Sequence, residues 1–222
     1  MSVALAAVAA TPECTPAQAP QAVSGALYRA VTTGNDPEAA LGLRRELRAL
    51  LSPGLPPSGE GSAADCEAVN RDSGATPGLI RHRLGEAGWL IQFACAQGAY
   101  QGSFWAAQLW SLPGGPAVAS ALCWPVPAEA SGGRGAPIIA FAPQAVVWGE
   151  LATVASASGG TVQAEIVNRF RAIGDCGTRS RYAVERGTAR LVEATAAWTC
   201  PPTPDVEPLG PDAWAPVVLP HR

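Results

Sequence analysis

The chain has 222 residues, enough for one or two domains with a real core. Fifteen basic residues, all arginine, against 18 acidic ones give a net charge of −3, so there is no general cationic footprint for nucleic acid. Charged residues at 15% beside 48% hydrophobic ones exclude both a charge-rich disordered chain and a coiled coil.

The first ten residues are apolar, and Ala7-Val8-Ala9 matches a small-x-small cleavage site, so residues 1–12 read as the remnant of a secretory signal. Residues 13–64 read as a helical segment ending in a Pro/Gly linker. A first helix is expected over Gln21 to Val31, with Val23, Leu27, Ala30 and Val31 on one side. A second follows Asp36 as N-cap, with Pro37 in the first helical position. Leu43, Leu47, Leu50 and Leu51 form its apolar stripe, and Pro53 ends it. The linker covers Ser52 to Ala64, where Pro and Gly recur.

Residues 65–222 read as a β domain. Strands are expected at Leu79–Leu84, Trp89–Cys95, Ser103–Leu112, Ala117–Val126, Pro137–Ala142, Ala145–Val154, Thr161–Ile173, Ser180–Glu185 and Thr188–Trp198. Gly, Pro and Ser clusters separate them at the spacing of sandwiches and barrels. The expected fold class is therefore mainly β, an antiparallel sandwich or barrel-like sheet, with a short α-helical N-terminal segment. The absence of a long apolar run gives no expectation of a membrane span.

The cysteines are Cys14, Cys66, Cys95, Cys123, Cys176 and Cys200. Their even number and wide spacing, without a Cys-x-x-Cys pair, point to structural disulfides in an oxidising compartment rather than to zinc. Arg186-Gly187 reads as a tight turn between Tyr182–Glu185 and Thr188–Glu193. With Glu185 facing Thr188, Cys176 lies opposite Ala197, and a bulge or short loop brings it to Cys200. Neighbourhood in the chain suggests Cys95 with Cys123 and Cys14 with Cys66.

Gly174-Asp175-Cys176-Gly177 invites comparison with the nucleophile loop of chymotrypsin-like cysteine proteases, with His82 as base. Against this, Arg81 and Arg83 flank His82 and disfavour the imidazolium a general base must carry, and Cys200 offers Cys176 a partner. No residue is assigned a catalytic role. Neither the two histidines, 82 and 221, nor any Gly-rich loop supplies a metal or phosphate site, so no cofactor is expected. Seven tryptophans outnumber the four Phe and three Tyr. Most belong in a core, while Tyr100, Trp105 and Trp148 are candidates to line a groove for peptide or glycan.

Across residues 89–214 the chain resembles the bacterial secreted family called "domain of unknown function 1176". The marks are a Trp-led strand ending in Cys95-x-x-Gly98-Ala99-Tyr100 and the later Ile173-Gly174-Asp175-Cys176-Gly177. Tyr182, Gly187, Leu191-Val192-Glu193, Cys200 and Trp214 follow. The resemblance implies export to the periplasm or cell exterior, matches Cys176 and Cys200 as a bridge, and implies no catalytic residue. The expectation is an exported, monomeric, non-catalytic module that binds an envelope protein, peptide or glycan. The alternative is a hydrolase acting on envelope peptides or glycans.

Overall fold

The computed structural model describes residues 19–33, 46, 47, 49, 79–97, 101–130, 138–156, 162–200 and 211–217. The expected signal remnant, the linker, Cys14, Cys66 and Tyr100 lie outside the described residues. In chain order the elements are β1 (Gln21–Val23), α1 (Gly25–Thr33), β2 (Leu79–Arg83), β3 (Trp89–Gln97), β4 (Gly102–Ser111), β5 (Ala117–Ala121) and β6 (Trp124–Ala130). Then come β7 (Ile138–Gln144), β8 (Val146–Trp148), β9 (Glu150–Ala155), β10 (Val162–Arg169), β11 (Gly177–Glu185), β12 (Thr188–Ala197) and β13 (Ala215–Pro216).

Sheet one runs β1-β5-β4-β3-β2, with β8 also paired to β4; sheet two runs β13-β12-β11-β10-β9; β6 and β7 form a separate hairpin. All the pairings are antiparallel. Leu90, Phe104, Ala106 and Val147 of sheet one meet Leu151, Ala164, Ile166, Tyr182 and Val184 of sheet two in one core. Both sheets are open, so the architecture is a sandwich and not a closed barrel.

Sheet one carries a second core on its other face. Val23, Leu27 and Val31 from the N-terminal segment pack there with Ile91, Phe93, Trp105, Ala107 and Leu109. A sheet covered on both faces loses polar/apolar alternation, and all eight residues from Ser103 to Trp110 are buried. Helix α1 starts later than its apolar pattern suggests. Gln21–Val23 is captured by β5, and Ser24 then caps the helix, its Oγ accepting from Leu27 N at 3.1 Å. Of the second expected helix, Glu46, Leu47 and Ala49 are described; they are helical, and Leu47 is fully buried.

Two expected strands divide and a third stops early. The run from Ala117 leaves sheet one after Leu122 N bonds Ala106 O, and Trp124 onward pairs with β7. Pro125 and Pro127 have no N–H to offer a central strand, which suits them to this outlying hairpin. The run from Ala145 breaks at Gly149, whose φ of +136° turns the chain from sheet one into sheet two. A Cβ there would stand 2.6 Å from Val167 O, so only glycine fits. The run from Thr161 ends at Arg169, because Phe170 N bonds Cys176 O and closes a loop.

The β11–β12 hairpin turns where the sequence places it, with Glu185 opposite Thr188. Between Arg181 and Tyr182 the register shifts, leaving Val192 as the extra residue of a bulge. That shift sets Gly177, not Cys176, opposite Ala197.

Candidate functional site

Strand ends and connections from both sheets gather at one end of the sandwich. Trp148 pairs with Ser103, and Gly149 N donates to Gly102 O, fixing β8 beside the start of β4. Glu150 pairs with Val167, which brings the end of β10 to the same corner. From there the chain enters the loop Phe170–Cys176, and Cys176 is bonded to Cys200 with Cα atoms 5.0 Å apart.

Within this end the polar side chains are tied in pairs. Gln101 Nε2 donates to Asn168 Oδ1 at 2.6 Å, while its Oε1 accepts from Arg169 N at 2.9 Å. Arg169 Nη1 reaches Glu150 Oε1 at 2.7 Å. Arg171 grips Asp175 through two bonds, Nε to Oδ1 at 2.6 Å and Nη2 to Oδ2. That guanidinium bond holds the Asp175 carboxyl below the usual carboxylate range, outweighing the opposing effect of desolvation.

The apolar side chains behave differently. Among the described residues five large ones are exposed, and Trp148 (47%), Phe170 (38%) and Ile173 (47%) share this end. Leu112 lies in the turn at the opposite end, and Ile80 on the edge strand β2. Phe170 leans on Trp198 with ring centroids 6.0 Å apart. The Phe170–Cys176 loop is thus a cross-linked platform that presents apolar groups to solvent while its charges are internally paired.

The expected site residues separate on this geometry. Trp148 lies in the exposed group. Trp105 does not: it is 1% exposed and stacks on Phe93 at 3.9 Å, inside the core between α1 and sheet one. Its place in the middle of a doubly covered strand removes it from any groove. Tyr100 lies outside the described residues. Phe170, Ile173, Gln101, Asn168, Arg169 and Glu150 were absent from the sequence expectation. Phe170 and Ile173 were read as the end of a strand, and Gly174, at a φ of +71°, is the one local sign that the strand had already stopped.

Cys176 and Cys200 are bonded as the hairpin register suggests, and Cys176 is fully buried. Asp175, Cys176 and Cys200 place ligand atoms within 4.8 Å of one another, but both sulfurs are held in the disulfide. The same bond leaves no thiolate at Cys176 for nucleophilic attack, and His82, on β2 of the other sheet, instead pairs its Nε2 with Gln92 Oε1 at 3.1 Å. Cys95 and Cys123 are each disulfide-bonded. The Cys95–Cys123 pairing does not fit the sheet. Strand β4 lies between β3, which carries Cys95, and the end of β5. Two strand spacings are about 10 Å, beyond the reach of one disulfide.

Among the described residues no helix is long and apolar enough to cross a membrane. Compared with known protein families, curated proteins and solved structures, the chain matches none.

Proposed function

We propose that this protein is an exported, non-catalytic binding module that engages an envelope component through the loop end of its sandwich. The observation that carries the reading is the grouping of Trp148, Phe170 and Ile173, exposed together on a scaffold held by the Cys176–Cys200 bridge. Exposed apolar groups on a rigid frame are the usual composition of a recognition surface, because little freedom is lost on binding. The disulfides support an oxidising compartment, in line with the resemblance to exported bacterial proteins. Of the hydrolase alternative, the burial and bonding of Cys176 speak only against a version that uses this cysteine as nucleophile.

Co-sedimentation with isolated bacterial envelope fragments tests this reading. The native protein is expected to pellet with them. The triple change Trp148→Ala, Phe170→Ser and Ile173→Ser should abolish pelleting without lowering the unfolding temperature. Pelleting that survives the triple change would place the binding surface elsewhere.

A further inference from the structure

We infer that two disulfides, Cys14–Cys123 and Cys66–Cys95, fasten the N-terminal layer to sheet one at opposite edges of that sheet. The pairing follows first from elimination and then from strand direction.

The chain has six cysteines. Cys176 and Cys200 are bonded to each other, and Cys95 and Cys123 are each disulfide-bonded as well. Because β4 runs between them, Cys95 and Cys123 are not each other's partner. The cysteines left to them are Cys14 and Cys66. Cys95 is buried in the core under α1, and Cys123 packs against the same core, so both bridges belong to the face of sheet one that α1 covers.

The edges of sheet one decide which cysteine goes where. Strand β1 lies at one edge beside β5, and β2 lies at the other beside β3. Gln21 pairs with Ala119 and Val23 with Ala117, so the chain before Gln21 heads the same way as the chain after Ala119. Cys14 comes seven residues before Gln21, and Cys123 four residues after Ala119. At about 3.3 Å per extended residue, the longer segment spans the shorter one with slack to turn. The other edge repeats the arrangement. Leu79 pairs with Phe93 and Arg83 with Trp89, so the chain before Leu79 heads the same way as β3 beyond Phe93, toward Cys95. Cys66 lies thirteen residues before Leu79, ample length to reach it. The exchanged pairing would send Cys14 across β5 and β4 to β3, and Cys66 back the other way. Both would have to pass over a face already filled by Leu27, Val31 and Leu47.

These bridges matter for the layer they hold. Between Cys14 and Cys66 lie β1, α1 and Leu47, the N-terminal residues that pack over sheet one. Helix α1 has only nine residues, too few to persist alone in water. Anchors on both sides keep it against sheet one even when the backbone is cut between them.

Peptide mapping of the unreduced full chain, treated with N-ethylmaleimide to block thiol exchange, tests the pairing. Trypsin leaves Cys14 in the peptide ending at Arg29, Cys66 in residues 49–71, and both Cys95 and Cys123 in residues 84–134. These three peptides should travel as one species that separates on reduction. Chymotrypsin then cuts between Cys95 and Cys123, at Phe104 or Trp105, and should leave Cys14 joined to Cys123 and Cys66 joined to Cys95. As a second measurement, Cys14→Ala should free one thiol, located at Cys123, and Cys66→Ala one located at Cys95. Exchanged partners would overturn the assignment by edge. A Cys14–Cys66 bridge, a free thiol at Cys95 or Cys123 in the native chain, or a disulfide-linked dimer would overturn the anchoring itself.

Discussion

Gln108, on β4, is 1% exposed, yet each end of its amide is used. Nε2 donates to Ala87 O at 2.8 Å, and Oε1 accepts from Gly187 N at 2.6 Å. One side chain thereby joins the β2–β3 connection to the tip of the β11–β12 hairpin, linking the two sheets. Gln108→Leu would strand a buried donor, Gly187 N, and a partly buried acceptor, Ala87 O, and we expect a loss of about 2 kcal/mol in urea unfolding. Gly187 itself, with φ +81°, has Ser120 Cβ only 2.5 Å from where a Cβ would stand. Gly114 has a similar φ of +65° but open space around it. Gly114→Ala should therefore cost about 1 kcal/mol and Gly187→Ala at least twice that, by the same measurement. Asp175 supplies a pH signature. Because Arg171 depresses its carboxyl in the folded state, the unfolded chain takes up the proton first as pH falls. Its contribution is complete above the ordinary carboxylate range and fades as pH drops through the depressed value. Asp175→Asn should lower the urea midpoint at neutral pH and flatten its decline in acid; an unchanged acid slope would contradict the role given to the ion pair.

At the level of elements, the Cys176–Cys200 bridge closes a separation of 24 residues at the base of the β11–β12 hairpin. Replacing both cysteines by alanine should cost about 3 kcal/mol, chiefly by freeing the unfolded chain. It should also loosen the Phe170–Cys176 loop, whose closure depends on Cys176 O. Helix α1 belongs to the fold rather than to a leader: Leu27→Ala should cost about 2–3 kcal/mol, since Leu27 packs in the core over sheet one. The hairpin was legible in the sequence because its cause is local. Arg186-Gly187 dictates the turn and the turn dictates the register; the offset at the cysteines left a bulge or a short loop open, and the bulge at Val192 supplies one residue of it. The break at Gly149 and the departure of β6 at Pro125 were also written locally, in residues that resist continuous strand geometry, although the pattern of apolar residues masked them. Exposure was not legible. Trp105 and Trp148 sit in strands with similar surroundings in the sequence, and what separates them is whether α1 and its neighbours lie overhead. Cys95 and Cys123 show the same limit, because nearness along the chain says nothing about the strand that runs between them.

Taken whole, the described residues form layers: α1 over sheet one, sheet one over sheet two, and on the outer face of sheet two a network of charge. There Glu165 Oε2 accepts from both Arg179 Nε and Arg181 Nε at 2.8 Å, while those arginines also reach Asp212 and Glu193. These broad surfaces are either buried or internally paired, which leaves the loop end as the place where apolar groups and reachable polar pairs stand together. Hydrogen exchange of the protein alone and bound to envelope fragments measures that directly. Amides from Val147 to Glu150 and from Asn168 to Ile173 should slow on binding, while those of the Leu112–Pro116 turn at the opposite end should not change. Protection at that far turn, or along β2, with none at the loop end would contradict the account.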